Sequence, residues 1–139
     1  MLLLSACIDT PAPLTADVTA SATQAATVGG RAQLVVNVTN TGPAITHIGL
    51  TFLSADRWYE RHTVTDPGTC TVDVDHTAFD CGDLGAGATA TYSISGTATQ
   101  TGNFHYQLAL RELVRPFTYV NDHSDGADVQ TWDETVSAS

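Results

Sequence analysis

Arginine and aromatic side chains are concentrated in two short stretches of this 139-residue chain. Arg57 and Arg61 bracket Trp58 and Tyr59, while Arg111 and Arg115 precede Phe117 and Tyr119. Four of the five arginines lie there, and Trp, Tyr and Arg are the types enriched at binding hot spots. Two readings are open. Arg57, Trp58, Tyr59, Arg61, Arg115, Phe117 and Tyr119 are anchors for a protein partner, or they are arginines snorkelling over aromatics that cap the fold.

A second set of residues is acidic. Asp73, Asp75, His76, Asp80 and Asp83 fall together, as do Asp122, His123, Asp125 and Asp128 further on. Calcium takes several oxygens from loops of this kind. Neither set has EF-hand spacing: counted from Asn121, the twelfth residue is Trp132, not Glu. Solvated acidic turns are the alternative. The five histidines are scattered, which does not suit zinc. No cofactor is expected, and calcium is the one cation these loops could hold.

Catalytic patterns are missing. There is no Gly-x-Ser-x-Gly elbow. Gly82, Gly85 and Gly87 follow a strand but lead into another strand, so they do not form a dinucleotide loop. The chain has no lysine, which excludes a P-loop lysine, a Schiff base and a lysine general base. The expectation is a non-enzymatic protein.

The elements that must position these residues are short and alternating. Cys70 and Cys81 bracket two such runs. Folded back at Asp75-His76 as a two-residue hairpin loop, Val72 faces Phe79 and Cys70 faces Cys81, which is disulfide geometry. Residues 14–20 alternate weakly, as a first edge strand would, and residues 21–30 read as a loop ending in Gly29-Gly30. Residues 32–39 form a strand with Leu34, Val36 and Val38 on one face. Residues 45–53 follow, with Ile48, Leu50 and Phe52 inward and His47 and Thr51 outward. Residues 56–63 are irregular and fit an edge strand or a loop. Strands over 88–98 and 104–111 bury Ala90, Tyr92, Ile94, Phe104, Tyr106, Leu108 and Leu110. A long connection over 113–126 leads to a last strand over 128–136, with Trp132 inserted in the core or covering its rim. The length suits one domain, and threonine, valine and alanine runs broken by Gly, Pro, Asn and Asp suit an all-β class.

The formal net charge of −10 argues against a nucleic-acid partner, which needs basic residues for its phosphates. No stretch is long enough to span a membrane. The third cysteine, Cys7, ends the run Leu4-Ser5-Ala6-Cys7. This resembles the lipobox of bacterial lipoproteins, where a signal peptide is cut before a cysteine that carries lipid. Only six residues precede Cys7 and none is basic, so an upstream start is implied. Residues 1–7 are then a truncated signal, 8–13 a tether and 14–136 the domain. The implied place is extracytoplasmic, at the cell surface or in the periplasm, anchored to the membrane through lipid and permissive for disulfides.

Four pieces in order carry a wider resemblance: VNVTNTGPA from Val36, GTC from Gly68, FDCGDLGAGATATYSISGTA from Phe79 and GNFHYQLAL from Gly102. They resemble the immunoglobulin-like repeats of bacterial and archaeal surface proteins known as "domain of unknown function eleven". The cell-adhesion-related bacterial domain is a near relative. The resemblance implies a strand ending in an Asn-Thr-Gly-Pro turn, a cysteine pair, a glycine-rich turn and no catalytic residues. Residues 56–63 are more aromatic and basic than that family's usual segment, and the loop after Leu113 is longer. The expected fold is an all-β, immunoglobulin-like β-sandwich of seven to eight antiparallel strands with Greek-key connections. The expected function is a binding or structural module of the envelope, as an adhesion domain or an accessory subunit with a protein partner. A lipoprotein binding calcium or a small ligand through its acidic loops is the alternative.

Overall fold

The computed structural model describes residues 12–122 and 128–139. Cys7, His123 and Asp125 lie outside them. Leu34, Val36 and Val38 are fully buried on one face of β3, Arg31–Asn40, as the alternation requires. The other strands are β1 (Ala16–Ala22), β2 (Ala25–Thr27), β4 (Ile48–Phe52), β5 (His62–Asp66), β6 (Thr71–Asp73), β7 (Ala78–Asp80), β8 (Thr89–Ala98), β9 (Gly102–Glu112) and β10 (Gln130–Ser137). One sheet runs β1-β3-β8-β5 and the other β2-β10-β9-β4-β7-β6. All pairings are antiparallel except β2 with β10. This is the expected immunoglobulin-like sandwich. The strand count is higher than expected because β2 and β5 pair along segments read as loop or irregular chain.

The Asn-Thr-Gly-Pro turn has a mechanism in Asn40. Its buried amide donates to the carbonyls of Pro43, Leu84 and Gly85, and its Oδ1 accepts the Gly42 N–H. One side chain thus ties the end of β3 to the glycine-rich turn that precedes β8. Satisfying backbone carbonyls inside the protein matters here because buried ones left unpaired are costly.

The hairpin register holds: Val72 opposes Phe79, and Cys70 and Cys81 are disulfide-bonded. The loop differs from expectation. It takes four residues, Val74 to Thr77, as a 3₁₀ turn closed by Thr77 at φ +52°. Asp73 accepts the His76 N–H and stabilises this tighter coil, which a two-residue loop does not need.

Of residues 56–63 only His62 and Thr63 join an edge strand, β5 of the four-stranded sheet. Trp58–Arg61 is a single helical turn, α1, and the chain then enters β5 in the opposite sheet. The reason is Trp58, which is completely buried and drags the segment across the end of the sandwich. Residues 21–30 also contain more structure than a loop, because β2 pairs with β10. Its three small residues carry too little alternation to reveal it. Thr51 points outward by parity, as expected, yet it is buried.

Replacing both Cys70 and Cys81 by serine should cost about 2–3 kcal/mol for a loop this short. Urea unfolding of the oxidised wild type against the double variant reads this. Labelling of both thiols in the denatured, non-reduced protein would contradict the bond.

Candidate functional site

The two arginine–aromatic stretches have separate fates. In the first, Trp58 sits between the sheets, stacked on His62 at 4.0 Å and edge-on to Phe79 at 6.3 Å. It is a core residue, which corrects its expected role as a surface anchor. Tyr59 is half-buried against Phe52 and Phe79. Arg61 donates to Asp56 Oδ1 through Nε at 3.2 Å and Nη2 at 3.0 Å, and lies 5.1 Å over Phe104. Arg57 lies 3.6 Å from Glu60. These side chains hold the sandwich end together. Burial pushes the Asp56 carboxyl up, but the His105 N–H and the Arg61 guanidinium outweigh it and hold the group below its ordinary value.

The second stretch stands on the outer face of the six-stranded sheet. Thr51, Ala78 and Ala109 point outward there and are nevertheless buried. Leu113 covers Gly49, where an added Cβ would lie 2.6 Å from its side chain. Arg111 lies 5.2 Å over Phe117 and 5.6 Å over Tyr119. Arg115 lies 5.9 Å over Phe117, and Phe117 meets His76 of the hairpin at 5.3 Å. Phe117 therefore lies between Arg111 of β9 and His76 of the hairpin, on the face where these small residues are buried. Arg115 is exposed, and Phe117 and Tyr119 are half-buried.

The acidic residues of the hairpin are engaged by their own turns. Asp73 binds His76 through both N–H and ring, Asp80 accepts the Gly82 N–H and pairs with His47 at 3.0 Å, and Asp83 accepts the His47 N–H. Asp75 and Asp122 are exposed, and Asp128 receives a long 3.4 Å contact from Asn121. Among the described residues no three His, Cys, Asp or Glu side chains are grouped to hold a metal ion.

Sequence reasoning missed a buried polar network. His62 and Glu134 are both fully shielded, 2.9 Å apart, and Tyr106 donates to Glu134 Oε1 at 3.0 Å. His62 Nδ1 lies 2.8 Å from the Trp58 carbonyl. The signal was present in part: the parity that sends Trp132 and Val136 inward sends Glu134 inward too. Burial pushes the Tyr106 phenol far above its ordinary value, and the Glu134 carboxylate pushes it further.

Two tests address this arrangement. Trp58→Ala should cost about 3–5 kcal/mol of stability, as removal of a core aromatic does. A loss within experimental error would return Trp58 to the surface. For Tyr106 the phenol stays protonated in the fold while the unfolded chain ionises near pH 10. Stability should therefore fall as pH rises through 10, by about 1.4 kcal/mol per unit from this residue. Urea unfolding between pH 9 and 11, with Tyr106→Phe flattening the slope, checks the sign.

Neither a family model nor a curated protein matches the chain. Solved structures do. The CARDB domain of a Pyrococcus furiosus protein, determined in solution by NMR, superposes with TM-score 0.56 at 15% identity, over 91% of this chain and 98% of that one. The same domain in a crystal structure in complex with di-metal ions gives TM-score 0.52 at 14% identity, over 91% of each chain. At such identities the likeness is one of fold, and the fold of this chain is that of the immunoglobulin-like CARDB sandwiches.

Proposed function

We propose that the chain is a non-enzymatic binding or structural module of the cell envelope, tethered to the membrane through lipid on Cys7. It serves as an adhesion domain or as an accessory subunit docked on a larger complex. The observation that carries the docking role is the group of Arg115, Phe117 and Tyr119 on the outer face of the six-stranded sheet. A guanidinium and two half-buried aromatics stand there, with Arg115 free of any carboxylate partner among the described residues. The disulfide supports an oxidising compartment, and a sandwich similar to CARDB domains supports a role in binding rather than catalysis.

A second reading has one observation in its favour: the similar Pyrococcus furiosus domain was solved in complex with di-metal ions. On that reading Asp73, Asp75, Asp80, Asp122, Asp125 or Asp128 would supply oxygens to calcium. Calorimetric titration with calcium decides it, since heat of binding is required by the second reading and not by the first.

Expressed from an upstream start in a bacterial host, wild type should enter the detergent phase and Cys7→Ser should remain in the aqueous phase or unprocessed. Equal partitioning would rule out the lipid anchor. With a partner captured from membranes in mild detergent, Arg115→Ala or Phe117→Ala should weaken binding by about 2 kcal/mol. If Phe117→Ala lowers the melting temperature while binding survives, the roof is structural and the docking face lies elsewhere.

A further inference from the structure

The hydrogen bonds around His62 and Glu134 fix a proton count. A carbonyl only accepts, so Nδ1 carries a proton toward Trp58 O at 2.8 Å. Tyr106 donates to Glu134 Oε1. Nε2 and the carboxylate, 2.9 Å apart, then need one proton between them. It makes no difference to the count whether imidazolium faces carboxylate or neutral imidazole faces carboxylic acid. Without that proton two acceptors confront each other, fully shielded from water, and the core carries a net negative charge. With one more, the core carries a net positive charge. Both states are costly in a site that is closed on every side.

We infer that the His62–Glu134 pair is a pH-sensitive lock between the two sheets, holding one proton more in the folded domain than in the unfolded chain in neutral and alkaline surroundings. His62 belongs to the four-stranded sheet and Glu134 to the six-stranded one, so the shared proton joins the layers. An unfolded histidine and glutamate together hold one proton above about pH 6.5, two between about 4.3 and 6.5, and three below that. The folded pair holds two. The sign then follows from linkage. Above pH 6.5 the folded state binds the extra proton, so raising pH favours unfolding. Between 4.3 and 6.5 the counts match and the pair is neutral to pH. The module is thus suited to mildly acidic surroundings and loosens as pH climbs.

The groups facing the pair do not confuse the count. From β9 comes Tyr106, which keeps its proton through this range. From α1 and the residues before it come the Trp58 ring and the mutually neutralising Asp56 and Arg61. From β8 comes Gly96, and from β10 Trp132, which packs on Tyr106. His47, His76 and His105 each lie beside an aspartate at the surface and are common to wild type and Glu134→Gln.

Glu134→Gln isolates the effect. A glutamine amide can donate permanently to Nε2 of a neutral imidazole while its oxygen accepts from Tyr106, so the network survives without a titratable proton. In urea unfolding between pH 5 and 9, the folding equilibrium constant of wild type relative to Glu134→Gln should fall about tenfold per pH unit. Parallel pH profiles for the two proteins would overturn the proposal. If Glu134→Gln does not fold, nitrogen NMR of native wild type decides: at pH 8 either both His62 ring nitrogens should still be protonated, or Nε2 should accept from a protonated Glu134. A bare Nε2 facing an ionised Glu134 at that pH would equally overturn it.

Discussion

Gly96 gives Trp58 the space on which the sandwich depends. A Cβ at position 96 would lie 3.2 Å from the indole and 2.6 Å from the Thr63 carbonyl, so no larger residue fits between β8 and its neighbours. β5 meets this point with a register shift between Val64 and Asp66. With the ring seated, α1 must turn over the end of the fold and deliver β5 to the opposite sheet. The Trp58 carbonyl then orients His62, and His62 meets Glu134. One close approach of backbone and indole therefore sets the crossing of the chain and the polar centre of the core.

That polar centre is an unusual choice on energetic grounds. Buried ion pairs are often no more stabilising than apolar residues of similar volume, while loss of one partner is severe. The indole N–H groups of Trp58 and Trp132 make no hydrogen bond within the described protein, which adds to the burden. A sequence selected only for stability would place leucine or phenylalanine here. What the network adds is discrimination: only one pairing of the sheets satisfies His62, Glu134 and Tyr106 together. A condition-dependent core and a uniquely registered core are the same physical object, since both follow from groups that tolerate one arrangement of protons and partners.

Much of the sandwich was legible because alternation reports burial on one face. β3, β8, β9 and the hairpin register could be read from Leu34, Val36, Tyr92, Ile94, Tyr106 and the cysteine pair. The reading failed where that rule has no grip. Residues 56–63 carry no period of two, because α1 buries Trp58, half-buries Tyr59 and Arg61 and exposes Glu60. Thr51, Ala78 and Ala109 are buried on the outer face, which alternation assigns to solvent. Glu134 was on the inward parity, but charge argued against burial and its partners came from β5 and β9. The partner residues suffered most: pattern identified arginine and aromatic enrichment without telling a core tryptophan from a surface one.

The distinction between the two stretches now rests on what each guanidinium already has. Arg61 is held by Asp56 and lies over Phe104, and Arg57 leans on Glu60. Their charges are balanced inside the chain. Arg111 and Arg115 instead face rings, which attract a cation without neutralising it. In a chain of net charge −10, this leaves a small positive and aromatic island on the outer face of the six-stranded sheet. On the proposed docking role, an acidic segment of a partner would be accepted at that island while the rest of the surface repels it. On that role charge would set orientation and encounter, and the rings would supply the contact area.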